Sequence, residues 1–130
     1  MIMKNPKKFL PIAALLTLFS FSACEKAYLT SKQVEITTPV SFSADLIPIF
    51  NESCATPNCH VNGGPPPNLM SSDAYDQLTQ LGYVDTSNAE ESILYKLMTS
   101  TSNPMPPNGL LPAEEIAYVL AWIEQGAQNN

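Results

Sequence analysis

The chain has one histidine, and it ends the stretch Cys54-Ala55-Thr56-Pro57-Asn58-Cys59-His60. Two thiols and an imidazole so close together constrain the fold, because whatever they serve must be reached by one short segment. Cysteines so placed can pair with each other, join a metal site, or add across porphyrin vinyl groups while the adjacent imidazole reaches the iron. A randomly placed histidine would follow one of three cysteines in roughly 2% of cases, so chance explains the pattern poorly. A Cys54–Cys59 disulfide beside an exposed histidine requires only an oxidising compartment. Zinc wants four ligands from cysteine, histidine or carboxylate, and no second cluster elsewhere completes the set. The usual haem-attachment spacer is two residues, whereas here it is four. Pro57 and Asn58 are turn formers, so the extra residues are expected to loop out.

The start of the chain reads as an address. Lys4, Lys7 and Lys8 form a positive region, and residues 9–21 are apolar apart from Pro11, Thr17 and Ser20. Small residues Ser22 and Ala23 precede Cys24. The stretch 1–23 resembles a bacterial lipoprotein signal peptide, with Phe21-Ser22-Ala23-Cys24 as lipobox and Cys24 as the lipidated new N-terminus. An ordinary secretory signal cleaved near Ala23 would leave Cys24 as a free thiol. The apolar run is shorter than the ~20 residues that span a bilayer. Lipid on Cys24 also accounts for the odd cysteine count, leaving two for one purpose. The expected location is a bacterial cell envelope, lipid-anchored, periplasmic or associated with the outer membrane.

From Cys24 onward the chain has three lysines (Lys26, Lys32, Lys96), no arginine and all twelve acidic residues. Such a surface excludes nucleic acid as an expected partner. An acidic electron carrier would dock on a basic patch of its redox partner.

Residues 24–40 are polar and rich in threonine and serine, the composition of a flexible tether to the membrane. The folded part is then residues 41–130, one small domain that gains from a staple or a large cofactor at its centre. Four helices are expected. The first covers about 43–53 with Phe42, Leu46, Ile49 and Phe50 on one face, and kinks at or starts from Pro48. The second covers 72–81 from an N-cap at Ser72, with Tyr75, Leu78 and Leu81 inward. A third starts near Ser87, where Ser87 and Glu90 have capping-box spacing, and carries Ile93, Leu94, Leu97 and Met98. The last has Pro112 in its first turn, Glu114 and Glu115 at its positive end, and a stripe of Ile116, Val119, Leu120 and Ile123 before Gly126. No segment alternates over strand length, so the predicted class is all-α.

A haem iron bound by His60 would have one axial position left, commonly filled by a thioether in electron-transfer proteins. Met98 lies on the apolar side of a predicted helix, where a methionine is core by default. Met70 sits in a loop soon after the motif. Met105 stands in Asn103-Pro104-Met105-Pro106-Pro107-Asn108-Gly109, where flanking prolines forbid helix and hold a side chain out from a stiff backbone.

In this order the chain resembles the class I cytochrome c family: a helix reaching the first cysteine, Cys-His, a Pro/Gly loop at 63–67, middle helices, a Met-Pro loop and a closing helix at 112–127. The resemblance spans about 42–127 and is nearest to short single-haem domains of exported bacterial lipoproteins. It implies an all-α cytochrome c-like domain wrapped around covalent haem c, with Cys54 and Cys59 as thioether anchors. It further implies His60 and Met105 as axial ligands of the iron. Gly63, Gly64 and Pro65 to Pro67 would let backbone pass near the porphyrin, and Trp122 or Tyr118 would pack near it. The implied function is one-electron transfer between redox proteins, not enzymatic turnover. A haem peroxidase or gas sensor would need an open sixth position and distal acid/base groups, and the chain has no second histidine and no arginine. A haem-free, disulfide-stapled lipoprotein acting as an interaction module is the remaining alternative.

Overall fold

Pro48 decides how the first helix begins. It has no N–H to donate, and its ring would clash with the carbonyl four residues back inside a regular helix. In the computed structural model, which describes residues 34–130, the backbone widens ahead of it into a π turn, Phe42–Leu46. The N–H of Ile47 reaches back to the carbonyl of Phe42 across that turn. Regular helix α1 then runs Ile47–Ser53, with Pro48 in its first turn, where a missing donor costs nothing. Ser41 caps the turn: its Oγ accepts from Ala44 N at 3.2 Å, and its own N–H donates to Asp45 Oδ2 at 2.8 Å. Phe42, Leu46, Ile49 and Phe50 are all buried, as their spacing predicts.

Three further α-helices follow: α2 at Ala74–Gln80, α3 at Ile93–Thr99 and α4 at Ala113–Glu124, with a 3₁₀ turn at Ala89–Glu91 before α3. Among the described residues every regular element is helical and none is a strand. Cys24, the leader 1–23 and the tether up to residue 33 lie outside the described residues. The packed part reaches upstream of Ser41, since Val40 is buried and Ile36 packs against the core.

The two middle helices depart from expectation for one reason. Ser72 is not the N-cap of α2; its hydroxyl donates to Asp73 Oδ2 at 2.6 Å, and the helix starts after Asp73. Ser87 likewise builds no capping box. Asp85 Oδ1 gathers Ser87 N (2.9 Å), Ser87 Oγ (2.6 Å) and Asn88 N (3.3 Å) into a local turn. A carboxylate one or two residues away competes better for a serine than a helix not yet formed. Both helices therefore start late. Leu81 becomes the C-cap of α2 and stands 55% exposed, while Tyr83 packs against the core in its place. Ile93 is 48% exposed, and Tyr95 joins Leu94 and Met98 inside.

α4 ends where its sequence predicts and starts one residue late: Pro112, expected in the first turn, is its N-cap at ψ 141°, and the helix runs from Ala113. Gly126 (φ +94°) takes the left-handed position after the C-cap, its N–H bonding Ile123 O at 3.0 Å and that of Ala127 bonding Trp122 O at 2.9 Å. Those two bonds together make a Schellman end, for which glycine carries no Cβ penalty. α4 packs on the π turn through an aromatic cluster: Phe42 lies 5.0 Å from Trp122, 5.4 Å from Tyr75 and 6.1 Å from Phe50, centroid to centroid. Trp122 is 1% exposed, with its Nε1–H donating to Gln128 O at 2.8 Å. It is a core residue.

The same corner is clasped by polar bonds. Val40 N donates to Gln125 Oε1 (2.8 Å), Phe42 N to Asn130 Oδ1 (2.8 Å) and Ser43 N to Asn130 O (2.9 Å).

Candidate functional site

α1 delivers Cys54 as its C-cap, the Cys54 N–H bonding Phe50 O at 2.9 Å. The four-residue spacer then turns back on itself. Cys59 N donates to Thr56 O at 2.9 Å across Pro57 and Asn58, and Asn58 takes φ +67°, a value asparagine tolerates. His60 N donates to Cys54 O at 3.1 Å and closes the loop. The extra residues loop out as expected, and one backbone bond brings the far ends of the motif together.

His60 is held from two further directions. Its carbonyl accepts from Leu69 N at 2.8 Å, and Leu69 is buried. Its Nδ1 lies 2.9 Å from Pro67 O. A carbonyl can only accept, so Nδ1 carries the hydrogen, and in the neutral ring the lone pair is on Nε2. Metal-bound histidines are commonly oriented by this kind of backbone contact. The segment between is drawn tight by Val61 N to Cys59 O and Gly64 N to Val61 O, both 2.9 Å. A Cβ on Gly64 would fall 2.0 Å from Cys59 O, so the loop's own backbone demands glycine there.

Cys54 and Cys59 are free thiols and half-buried. Cys54 packs against the hydrophobic core. Burial pushes its thiol up to about 11, with smaller contributions from the charges of Glu115 and Cys59. Glu115, in the first turn of α4, has its carboxyl raised by desolvation first, then by Glu52 and Glu114. Its Oε2 is shielded from solvent and has no hydrogen-bond partner, and the residue is half-buried.

Met105 occupies a separate loop. Its N–H donates to Leu97 O at 2.9 Å, Asn103 N to Ser100 Oγ at 3.0 Å and Gly109 N to Pro106 O at 3.2 Å. The Met105 side chain is half-buried between half-buried Pro104 and Pro106. Of the other two candidates, Met98 is in the core and Met70 is 40% exposed. The structure thus joins Cys54, Cys59 and His60 in one hydrogen-bonded loop and holds Met105 on the α3 side.

Two hollows, of about 350 and 440 Å³, open elsewhere on the surface. Neither is lined by Cys54, Cys59, His60 or Met105. Among the described residues no three of histidine, cysteine, aspartate and glutamate gather to hold a metal ion. A porphyrin iron asks for less, because the macrocycle brings four nitrogens and needs two side chains. Of the two side chains, this loop offers one, the Nδ1-anchored imidazole of His60; its thiols suit attachment at the porphyrin edge and not the iron.

Sequence reasoning missed two participants. Pro67 is recognisable only as part of a proline run, with nothing to say that its carbonyl faces His60. Glu115 reads as a helix-end charge, and its proximity to Cys54 comes from packing between segments sixty residues apart.

No family model, curated protein or solved structure matches the chain. No helix among the described residues is long and apolar enough to cross a membrane.

Proposed function

We propose that this protein is an exported, membrane-tethered c-type cytochrome that carries single electrons through a covalently bound, His/Met-ligated haem. The observation that carries the reading is the bond from His60 Nδ1 to Pro67 O. It leaves Nε2 as the free donor atom of an imidazole that directly follows a cysteine. Cys54 and Cys59 anchor the haem as thioethers, and His60 and Met105 take the axial positions. A haem held there would supply one-electron ferric/ferrous chemistry, and a thioether ligand would raise its potential. The chain's own residues aim the imidazole, fix the loop that holds both sulfurs, and keep Met105 on a stiff proline-flanked backbone. A haem held by both His60 and Met105 would keep no open position for substrate, which supports reading the protein as a carrier and not an enzyme.

The carrier's surface is acidic. Lys96 is the only lysine or arginine of the described residues, and it is paired with Glu91. A redox partner therefore presents a basic patch, and association slows as salt is raised. Cys24 bears the lipid that keeps the carrier at an envelope membrane.

The test is a reduced-minus-oxidised spectrum of the chain produced in a host able to attach haem. A sharp α-band, with haem that survives acid–acetone extraction, is the expected result. A colourless protein overturns the reading and leaves the haem-free interaction module.

A further inference from the structure

Two asparagines in the chain are followed by glycine, Asn62 and Asn108, and both are exposed. Each lies in a tight turn, but the two turns differ in register. Residues Val61 to Gly64 form a turn closed by the bond from Gly64 N to Val61 O at 2.9 Å. Gly63 therefore sits inside it, at the third position, with φ +79°. Its N–H has no partner among the described residues, and neither has the Asn62 side chain. A Cβ built on Gly63 would meet nothing within 4 Å, so the space around this peptide is open. The second turn, Pro106 to Gly109, is closed by Gly109 N itself, bonded to Pro106 O at 3.2 Å.

We propose that Asn62 is a site of spontaneous modification, converting to aspartate and isoaspartate through a cyclic imide, and that the turn around Asn108 holds the same reaction back. The Gly63 nitrogen loses its proton to hydroxide and attacks Asn62 Cγ. The N–Cγ bond forms, the Cγ–Nδ2 bond breaks, and ammonia leaves with a proton returned by water. Water then opens the five-membered imide at either carbonyl. Rupture at Cγ leaves aspartate; rupture at the main-chain carbonyl leaves isoaspartate, whose backbone runs through Cβ. The sum is amide plus water giving acid plus ammonia, with no electrons gained or lost. Glycine leaves the approach clear because it has no Cβ. At Asn108 the attacking nitrogen must first let go of Pro106 O.

The product matters because of where the turn stands. Isoaspartate at position 62 adds one backbone atom between Val61 O and Gly64 N, so the bond that closes the turn is lost. Gly64 is packed against the carbonyl of Cys59 so tightly that a Cβ there would fall 2.0 Å from that oxygen. The added length is therefore passed along the stretch between His60 and its two partners, Pro67 O and Leu69 N. Plain aspartate keeps the backbone and leaves the turn closed. The loop that holds His60 thus carries a slow clock that needs only water. It runs whether or not the function proposed above holds.

The experiment is prolonged incubation of the full chain at pH 7.5, with peptide mass mapping to locate the new acid and isoaspartyl methyltransferase labelling to mark isoaspartate. Asn62 should convert about threefold to tenfold faster than Asn108, the restraint expected of one hydrogen bond, and the ratio should fall toward one in urea. Asn62→Gln should remove the faster site and leave the Asn108 rate unchanged, which makes Asn108 an internal check on folding. Equal native rates, a faster Asn108, a ratio that persists in urea, or no conversion at Asn62 each overturn the proposal. A second readout is amide hydrogen exchange at Gly64. It should quicken in the isoaspartyl fraction and stay as it is in an Asn62→Asp chain, whose backbone is normal. Exchange that is alike in all three chains, or equally fast in both altered ones, overturns the effect on the loop.

Discussion

The loop carrying His60 and the loop carrying Met105 solve the same problem in opposite ways. Around His60 the protein spends hydrogen bonds: Cys54 O, Thr56 O, Val61 O, Pro67 O and the carbonyl of His60 itself are all engaged. Around Met105 there are fewer: its own N–H bonds Leu97 O, Asn103 N bonds Ser100 Oγ and Gly109 N bonds Pro106 O, and prolines on either side stiffen the rest. The difference follows from the side chains. An imidazole has a second nitrogen by which the protein can aim it, whereas a thioether has no donor at all. A methionine must be aimed through its backbone.

Substitutions in the two loops should therefore fail differently. The largest effect is expected from Gly64→Ala, because a methyl 2.0 Å from Cys59 O forces the backbone of the motif loop to move. A loss of about 3 kcal/mol in urea unfolding, together with loss of covalent haem, is the expected outcome. Unchanged stability would show that the loop is looser than its hydrogen bonds imply. His60→Ala comes next. It should abolish the low-spin spectrum while costing only about 1 kcal/mol of fold, since one bond to Pro67 O is lost. A third, smaller effect belongs to Met105→Ala, which should remove the far-red sulfur-to-iron band and lower the unfolding midpoint little or not at all. The same band lost in Met98→Ala but kept in Met105→Ala would move the ligand into the core and end the comparison.

The smallest effect is on pH dependence. Glu115 has a raised folded-state pKa, so its contribution to stability is full below its unfolded value and is lost as pH rises through the folded one. Glu115→Gln should make the chain slightly more stable near pH 7 and leave it unchanged near pH 3. Asp85 has a lowered pKa through its bonds from Ser87 and, to a lesser extent, Asn88, so it works in the opposite sense. Its support is present above the unfolded value and disappears as pH falls through the folded one. Asp85→Asn should flatten that acid limb in a thermal-unfolding series.

What could be read from the residues was what is local. α4 was legible at both ends to within a residue, because Pro112, Glu114, Glu115 and Gly126 act within a turn of where they stand. The looped spacer was legible for the same reason, since Pro57 and Asn58 carry their turn preference with them. Ser72 and Ser87 misled because a capping hydroxyl has two customers, the helix and the nearest carboxylate, and here Asp73 and Asp85 won. Pro48 left two possibilities open, and the regular helix begins beside it, at Ile47, after the widened turn. The bond from His60 to Pro67 and the approach of Glu115 to Cys54 were invisible, because both depend on where folded segments come to lie.

The clasp between the first turn and the end of α4 has a mechanical consequence. Force arriving along the upstream chain reaches Val40, Phe42 and Ser43, whose N–H groups are bonded to Gln125 and Asn130. The load is taken up there, between the first turn and the end of α4, and is anchored by the ring of Trp122 against Phe42. The loop of Cys54, Cys59 and His60 lies beyond α1, on the far side of that anchor in the chain. Strain entering along the upstream chain is thus absorbed before it reaches the geometry of the histidine.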